Sequence, residues 1–203
     1  MNAISRASIA ERCGPGCPTC ADLRRAAVAL SASAGLDGVT PEGLAEVSGL
    51  RPERLGVHDC GAADTCLAAA YRETIEGMLS RYTACLQAAP TRGAGVRDAT
   101  ADLLAYLARH PDVASFVTVE APKGGPRLAA LREGLRRRSV GRLAEELARF
   151  DGVDVASERQ LEQLVETMER TVARYVTAGE AAKLPGALDA VLATVGEPLL
   201  ARR

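Results

Sequence analysis

Residues 21–57 read ADLRRAAVALSASAGLDGVTPEGLAEVSGLRPERLGV, three short helices separated by two turns. In Ala21–Ala34, Leu23, Ala26, Ala27, Leu30 and Ala34 recur at helical spacing on one face. Gly35 ends that helix and Asp37-Gly38 makes a turn. Thr40-Pro41 then supplies a capping hydroxyl followed by a proline at the first helical position, which opens Pro41–Ser48. Gly49 is a tight-turn residue, and Pro52 opens a third helix, Pro52–Val57. Two short helices joined by a few residues containing glycine form a helix-turn-helix, the geometry that lays its second helix in a DNA major groove.

The rest of the chain extends this helical pattern. Of 203 residues, 47% are hydrophobic, enough for a sizeable core, and runs alternating at period two are scarce, so the expected class is all-α. Three parts are expected: an N-terminal arm (1–20), a helix-turn-helix head (21–63) and a helical body (64–203). Body helices are predicted over 64–87, 96–109, 112–119, 127–150, 157–178 and 185–200, with 121–126 as a loop. Ser157 and Gln160 have capping-box spacing. Leu161, Leu164, Val165, Met168, Val172, Tyr175 and Val176 form an apolar seam. That seam and the apolar last helix predict a homodimer, or else burial within one chain.

Charge and motifs narrow the function. Aromatics are only 3%, too few for a base-stacking platform. The net charge of −1 argues against nonspecific polyanion binding, but it is unevenly spread. Residues 127–149 carry seven arginines against three glutamates, whereas 21–60 carries four arginines against six acids. There is no G-x-S-x-G, H-E-x-x-H or G-x-x-x-x-G-K-[ST], and His58 and His110 are the only imidazoles, so an enzyme is not expected. No apolar stretch approaches a membrane span, and Met1–Arg12 lacks a secretory apolar core. A cytoplasmic protein without membrane contact is the expectation.

Leu23-Arg-Arg-Ala-Ala-Val-Ala-Leu30, Gly35-Leu-Asp-Gly-Val-Thr40 and Leu44-Ala-Glu-Val-Ser-Gly49-Leu50 resemble the first helix, turn and second helix of the tetracycline-repressor (TetR) family. The resemblance covers roughly 21–203, the downstream helices agreeing in number, length and order. It implies a dimeric transcriptional regulator that binds double-stranded DNA and answers to an effector held in the body. Its DNA contacts would come from Thr40, Arg51 and Arg54, with Arg24 and Arg25 touching backbone. Its ligand pocket would lie near Tyr82, Leu104, Tyr106 and Phe116. Where the family carries tyrosine, phenylalanine and lysine after the recognition helix, this chain has Gly56, Asp59 and Ala62 or Ala63. With the net-acidic head, that opens a second reading: a metal- or ligand-binding protein of the same fold that has lost DNA binding.

Six cysteines in a chain expected to be cytosolic point away from structural disulfides. Cys13, Cys17 and Cys20 have C-x3-C-x2-C spacing, which radical enzymes use for an iron–sulfur cluster inside a barrel of strands; no strands are predicted here. The family's architecture sets the N-termini of the first and fourth helices at one end of the head. The arm would therefore carry these thiols toward Cys60 or Cys66, beside His58. Four thiolates, or three and a nitrogen, suit zinc or an iron–sulfur cluster, so the effector is read as a small molecule, a metal or cluster, or a redox signal. Cys85 is too far along its helix to join them.

Overall fold

The computed structural model describes residues 17–51, 55, 62–151 and 155–194. Among them are eight α-helices and no strand. They are α1 (Pro18–Ala34), α2 (Pro41–Ser48), α3 (Ala63–Ala88), α4 (Arg92–Arg109), α5 (Pro111–Ser115), α6 (Pro126–Asp151), α7 (Val155–Thr177) and α8 (Leu188–Leu192). The all-α class is therefore as the periodicity predicts. Two compact units divide the chain, Met1–Glu73 and Thr74–Arg203, so the boundary falls inside α3 rather than at 63. Side chains explain the shift. Cys66, Leu67, Ala70 and Tyr71 on the first turns of α3 are buried, and the Cys66 thiol donates to the Leu23 carbonyl at 3.6 Å. Arg24 on α1 pairs with Glu73. The start of α3 is thus part of the N-terminal unit.

That unit packs α1 against α2 and the 3-10 turn Leu36–Gly38. Leu23 and Ala27 of α1 and Leu44 of α2 have no exposed surface, with Val28, Val39 and Ala45 beside them in the core. Helix α1 starts at Pro18, three residues before its expected start, because proline suits a first turn whose N–H groups lack partners. Cys20 consequently sits inside the helix and is buried, not on an arm preceding it.

In the C-terminal unit, α4 begins at Arg92, four residues earlier than predicted. The Thr91 hydroxyl caps it by accepting from the Ala94 N–H at 3.3 Å, which apolar periodicity alone does not reveal. The segment expected as one helix over 112–119 is α5 followed by a π-helical turn, Phe116–Glu120, and a 3-10 turn, Ala121–Lys123, where a loop is predicted. The last expected helix opens instead as a 3-10 segment, Ala181–Ala187, containing Pro185, before α8. The Ser157 side chain of the expected capping box lies outside the described residues.

Two apolar clusters hold this unit. The larger joins Tyr82 and Leu86 (α3), Val96 and Ala99 (α4), Val140, Leu143 and Leu147 (α6), Leu161, Leu164 and Met168 (α7) and Val191 (α8). The smaller joins Leu104, Leu107, Ala114, Val172 and Leu184. The apolar seam of α7 is thus consumed inside its own chain: Leu161, Leu164, Met168 and Val172 are buried, and Val165, Tyr175 and Val176 half-buried. It does not stand open as a dimer face. Among the described residues, no helix is long and apolar enough to cross a membrane.

Candidate functional sites in the two units

The first helix of the expected helix-turn-helix begins as its residues dictate. Thr40 is the N-cap of α2, its hydroxyl oxygen accepting from the Gly43 N–H at 3.1 Å, and Pro41 follows at the first position. At the other end Gly49 adopts φ +70°, open to glycine without the steric cost a Cβ brings. The Leu50 N–H returns to the Ala45 carbonyl at 3.0 Å and the Gly49 N–H to Glu46 at 3.3 Å, a Schellman stop that turns the chain sharply. Arg51 emerges exposed from this turn. Leu55, in helical backbone, is buried, while Arg54 and the rest of the expected recognition helix lie outside the described residues.

The remaining predicted DNA contacts differ in availability. Thr40 and Arg25 are exposed, although Arg25 pairs with Asp22 one turn back. Arg24 is mostly covered, 19% exposed at its side chain, and its guanidinium is engaged by Glu73. The i, i+4 pattern that puts Arg24 beside α1's apolar face does not reveal that partner, which arrives from α3.

Of the predicted metal ligands, Cys13 and Cys60 lie outside the described residues, as does His58. Cys17 is the N-cap of α1 and half-buried; Cys20 and Cys66 are buried among the head's apolar side chains. Among the described residues, no three side chains of metal-binding type stand together. Cys85 packs half-buried against the larger body cluster, and burial and the nearby Asp102 carboxylate push its thiol up.

The four predicted pocket residues are distributed over the body unit. Leu104 and Tyr106 share the smaller cluster, Leu104 fully buried and Tyr106 half-buried. Tyr82 belongs to the larger one. Phe116, fully buried, opens the π-helical turn, a rare geometry that recurs at functional sites. Leu103 and Leu188 pack against both clusters. Sequence reasoning missed a polar chain on α3 and α4. Arg81 grips Asp102 through two nitrogens, Nη2 at 2.9 Å from Oδ1, and its guanidinium lies 5.2 Å from the Tyr106 ring centroid. Tyr106 in turn meets the His110 ring at 4.5 Å. The contacts of Arg81 join different helices and leave no periodic trace.

Tyr82 carries a testable consequence. The Thr100 hydroxyl donates to the Val96 carbonyl at 2.7 Å, and the Tyr82 phenol is hydrogen-bonded to the Thr100 hydroxyl at 3.0 Å and reaches the same carbonyl at 3.4 Å. Burial pushes the phenol up to about 12, against 10.0 when free. A raised folded-state value means stability is complete below pH 10 and drains away as pH rises toward 12. The loss is roughly 2–3 kcal/mol over that window. Denaturant titrations at pH 9–11.5 should show this fall, and Tyr82→Phe should flatten it. An equal slope in both proteins would refute the assignment.

No family model matches the chain, and no curated protein does. Solved structures do. The transcriptional regulator FadR from Bacillus subtilis, in complex with stearoyl-CoA, superposes with a TM-score of 0.74 over 86% of this chain and 96% of its own, at 15% identity. The fatty acid degradation regulator FadR from Bacillus halodurans superposes with a TM-score of 0.79 over 94% of this chain and 100% of its own, also at 15% identity. The chain has the all-helical fold of these regulators, and at this identity the likeness concerns fold.

Proposed function

We propose that this chain is a TetR-like, homodimeric DNA-binding transcriptional regulator whose body binds a small, largely apolar effector. The observation that carries the reading is the capped and stopped α2 at Thr40–Leu50, set in a fold that matches two FadR regulators over most of the chain. A Schellman turn presenting an exposed Arg51 is where a recognition helix would enter the major groove. Thr40 and Arg51 are the contacts the described residues offer best, with Arg25 beside them. Arg24 would have to break its pair with Glu73 to reach a phosphate.

For the effector, the stearoyl-CoA held by the Bacillus subtilis regulator points to a long acyl thioester or a molecule of similar shape. Regulation requires that such a ligand bind the DNA-competent and DNA-incompetent states with different affinity.

Selection of duplexes from a random pool, followed by fluorescence anisotropy across salt concentrations, tests this. The expected result is an enriched site whose log affinity falls linearly with log salt. Arg51→Ala should weaken it about tenfold or more if Arg51 reads a base, and relax selectivity at one position. Stearoyl-CoA should release the duplex. A pool that enriches nothing, with no salt-dependent binding, would leave the second reading: the same fold binding a ligand without DNA.

A further inference from the structure

Cys17-Pro-Thr-Cys20 spans the first turn of α1. Cys17 is the N-cap, Pro18 and Thr19 follow at the first two helical positions, and Cys20 stands at the third. The N-cap and the third position are the two whose side chains reach back to each other in a capping box, so this spacing sets both thiols on one side of the turn. The first helical bond runs from the Ala21 N–H to the Cys17 carbonyl at 3.1 Å, and Cys17 itself, with ψ 118°, lies outside the helix. On a helix, Cβ atoms three residues apart are about 5–6 Å from each other, and a disulfide needs about 3.5–4.5 Å. Rotation within the N-cap residue closes that gap and leaves the helical backbone of α1 in place. The two thiols differ in access: Cys17 is half-buried, whereas Cys20 is 3% exposed. Helix α1 presents the positive end of its dipole to Cys17, and its first turn holds no carboxylate. Asp22, the nearest acid on the helix, is engaged by Arg25. Such a setting favours a thiolate. Two other described thiols lack it. Cys66 has no exposed surface and donates to the Leu23 carbonyl, and Cys85 is pushed up toward the protonated thiol. Among the described residues no three metal-binding side chains stand together, so the chemistry open to Cys17 and Cys20 is that of a dithiol.

We propose that Cys17 and Cys20 form a redox-active dithiol that exchanges with low-molecular-weight disulfides. The Cys17 thiolate attacks one sulfur of the small disulfide. That reagent's S–S bond breaks, a mixed disulfide forms on Cys17, and one small thiolate leaves. Cys20 then gives up its proton to solvent and attacks the Cys17 sulfur. The internal disulfide forms as the second small thiolate departs. Two protein thiols are oxidised by two electrons in all, and the small disulfide is reduced to two thiols that take up the two protons. An excess of small thiol reverses both steps. Burial sets the order of events: the half-buried Cys17 attacks and the covered Cys20 resolves. The inference depends on neither DNA binding nor a dimer.

Thiol mapping of the full chain tests this. Protein purified without oxygen is equilibrated across ratios of oxidised to reduced glutathione, quenched with an alkylating reagent, digested and mapped by mass spectrometry. Cys17 and Cys20 should lose alkylation together in a single two-electron transition and be recovered linked to each other. In the reduced protein at pH 7, Cys17 should alkylate on the order of tenfold faster than Cys85. Cys20→Ala should halt the reaction at a glutathione adduct on Cys17, and Cys17→Ser should leave Cys20 unmodified, with circular dichroism verifying the fold of each variant. The wild-type map decides the linkage even where a variant is unstable. Linkage of Cys17 to Cys13 instead of Cys20 overturns the proposal, as does glutathione retained on Cys17 in the wild type. So does alkylation no faster than at Cys85, or zinc that copurifies with the wild type and is lost in either variant.

Discussion

Leu164→Ala is expected to lower the unfolding free energy by about 3–5 kcal/mol, measured by chemical denaturation, while leaving the association state seen in sedimentation as it is in the wild type. Leu164 is 1% exposed and belongs to the larger cluster, to which α3, α4, α6, α7 and α8 all contribute. Truncation there removes a side chain that several independent helices enclose, so the surroundings close the cavity only in part. The expected loss is a large share of the ~5–15 kcal/mol that stabilises an ordinary domain. Leu164→Met, nearly equal in volume, should cost less than about 1.5 kcal/mol. The second readout matters as much as the first. If the seam from Leu161 to Val176 were a subunit interface, Leu164→Ala would abolish association and spare the monomer's stability. A change of association state with unchanged unfolding would refute the packing described above.

The seam shows where reading the sequence stops. Spacing located α7 to within two residues at its start, because seven apolar positions at helical intervals leave no other regular structure. The same spacing does not say which surface the apolar stripe meets. A stripe facing four neighbours of its own chain and one facing a second subunit are written alike. The head was more legible, since Thr40, Pro41 and Gly49 act on the backbone within a few residues of themselves. Their roles follow from a hydroxyl, a missing N–H and a missing Cβ. Long-range partners were not legible: Glu73 for Arg24, the Leu23 carbonyl for Cys66, Asp102 for Arg81. Each joins residues at least 21 positions apart. Cys20, a candidate ligand by its spacing, and Cys66, one by the resemblance, both have buried side chains, which the sequence does not announce.

The second large effect concerns the head. Leu44→Asp is expected to cost about 4 kcal/mol or more and to abolish duplex binding at every salt concentration, because it places a carboxylate at a position with no exposed surface. Leu44 stands between the Thr40 cap and the Gly49 stop, in the core that α1 and α2 share. Val47 supplies the control. It lies three residues further along the same helix and is 53% exposed, so Val47→Asp should change stability by no more than about 0.5 kcal/mol. The two substitutions introduce the same charge into the same helix and differ only in burial. Circular dichroism with denaturant titration should therefore separate them, and duplex binding should follow Leu44 rather than Val47. A Leu44→Asp protein that loses stability yet still binds its selected duplex with the wild-type salt slope would show that DNA is read elsewhere. Equal effects at 44 and 47 would mean that α2 does not pack as described. Loss of binding in Leu44→Asp alone, with the association state unchanged in sedimentation, assigns recognition to the N-terminal unit.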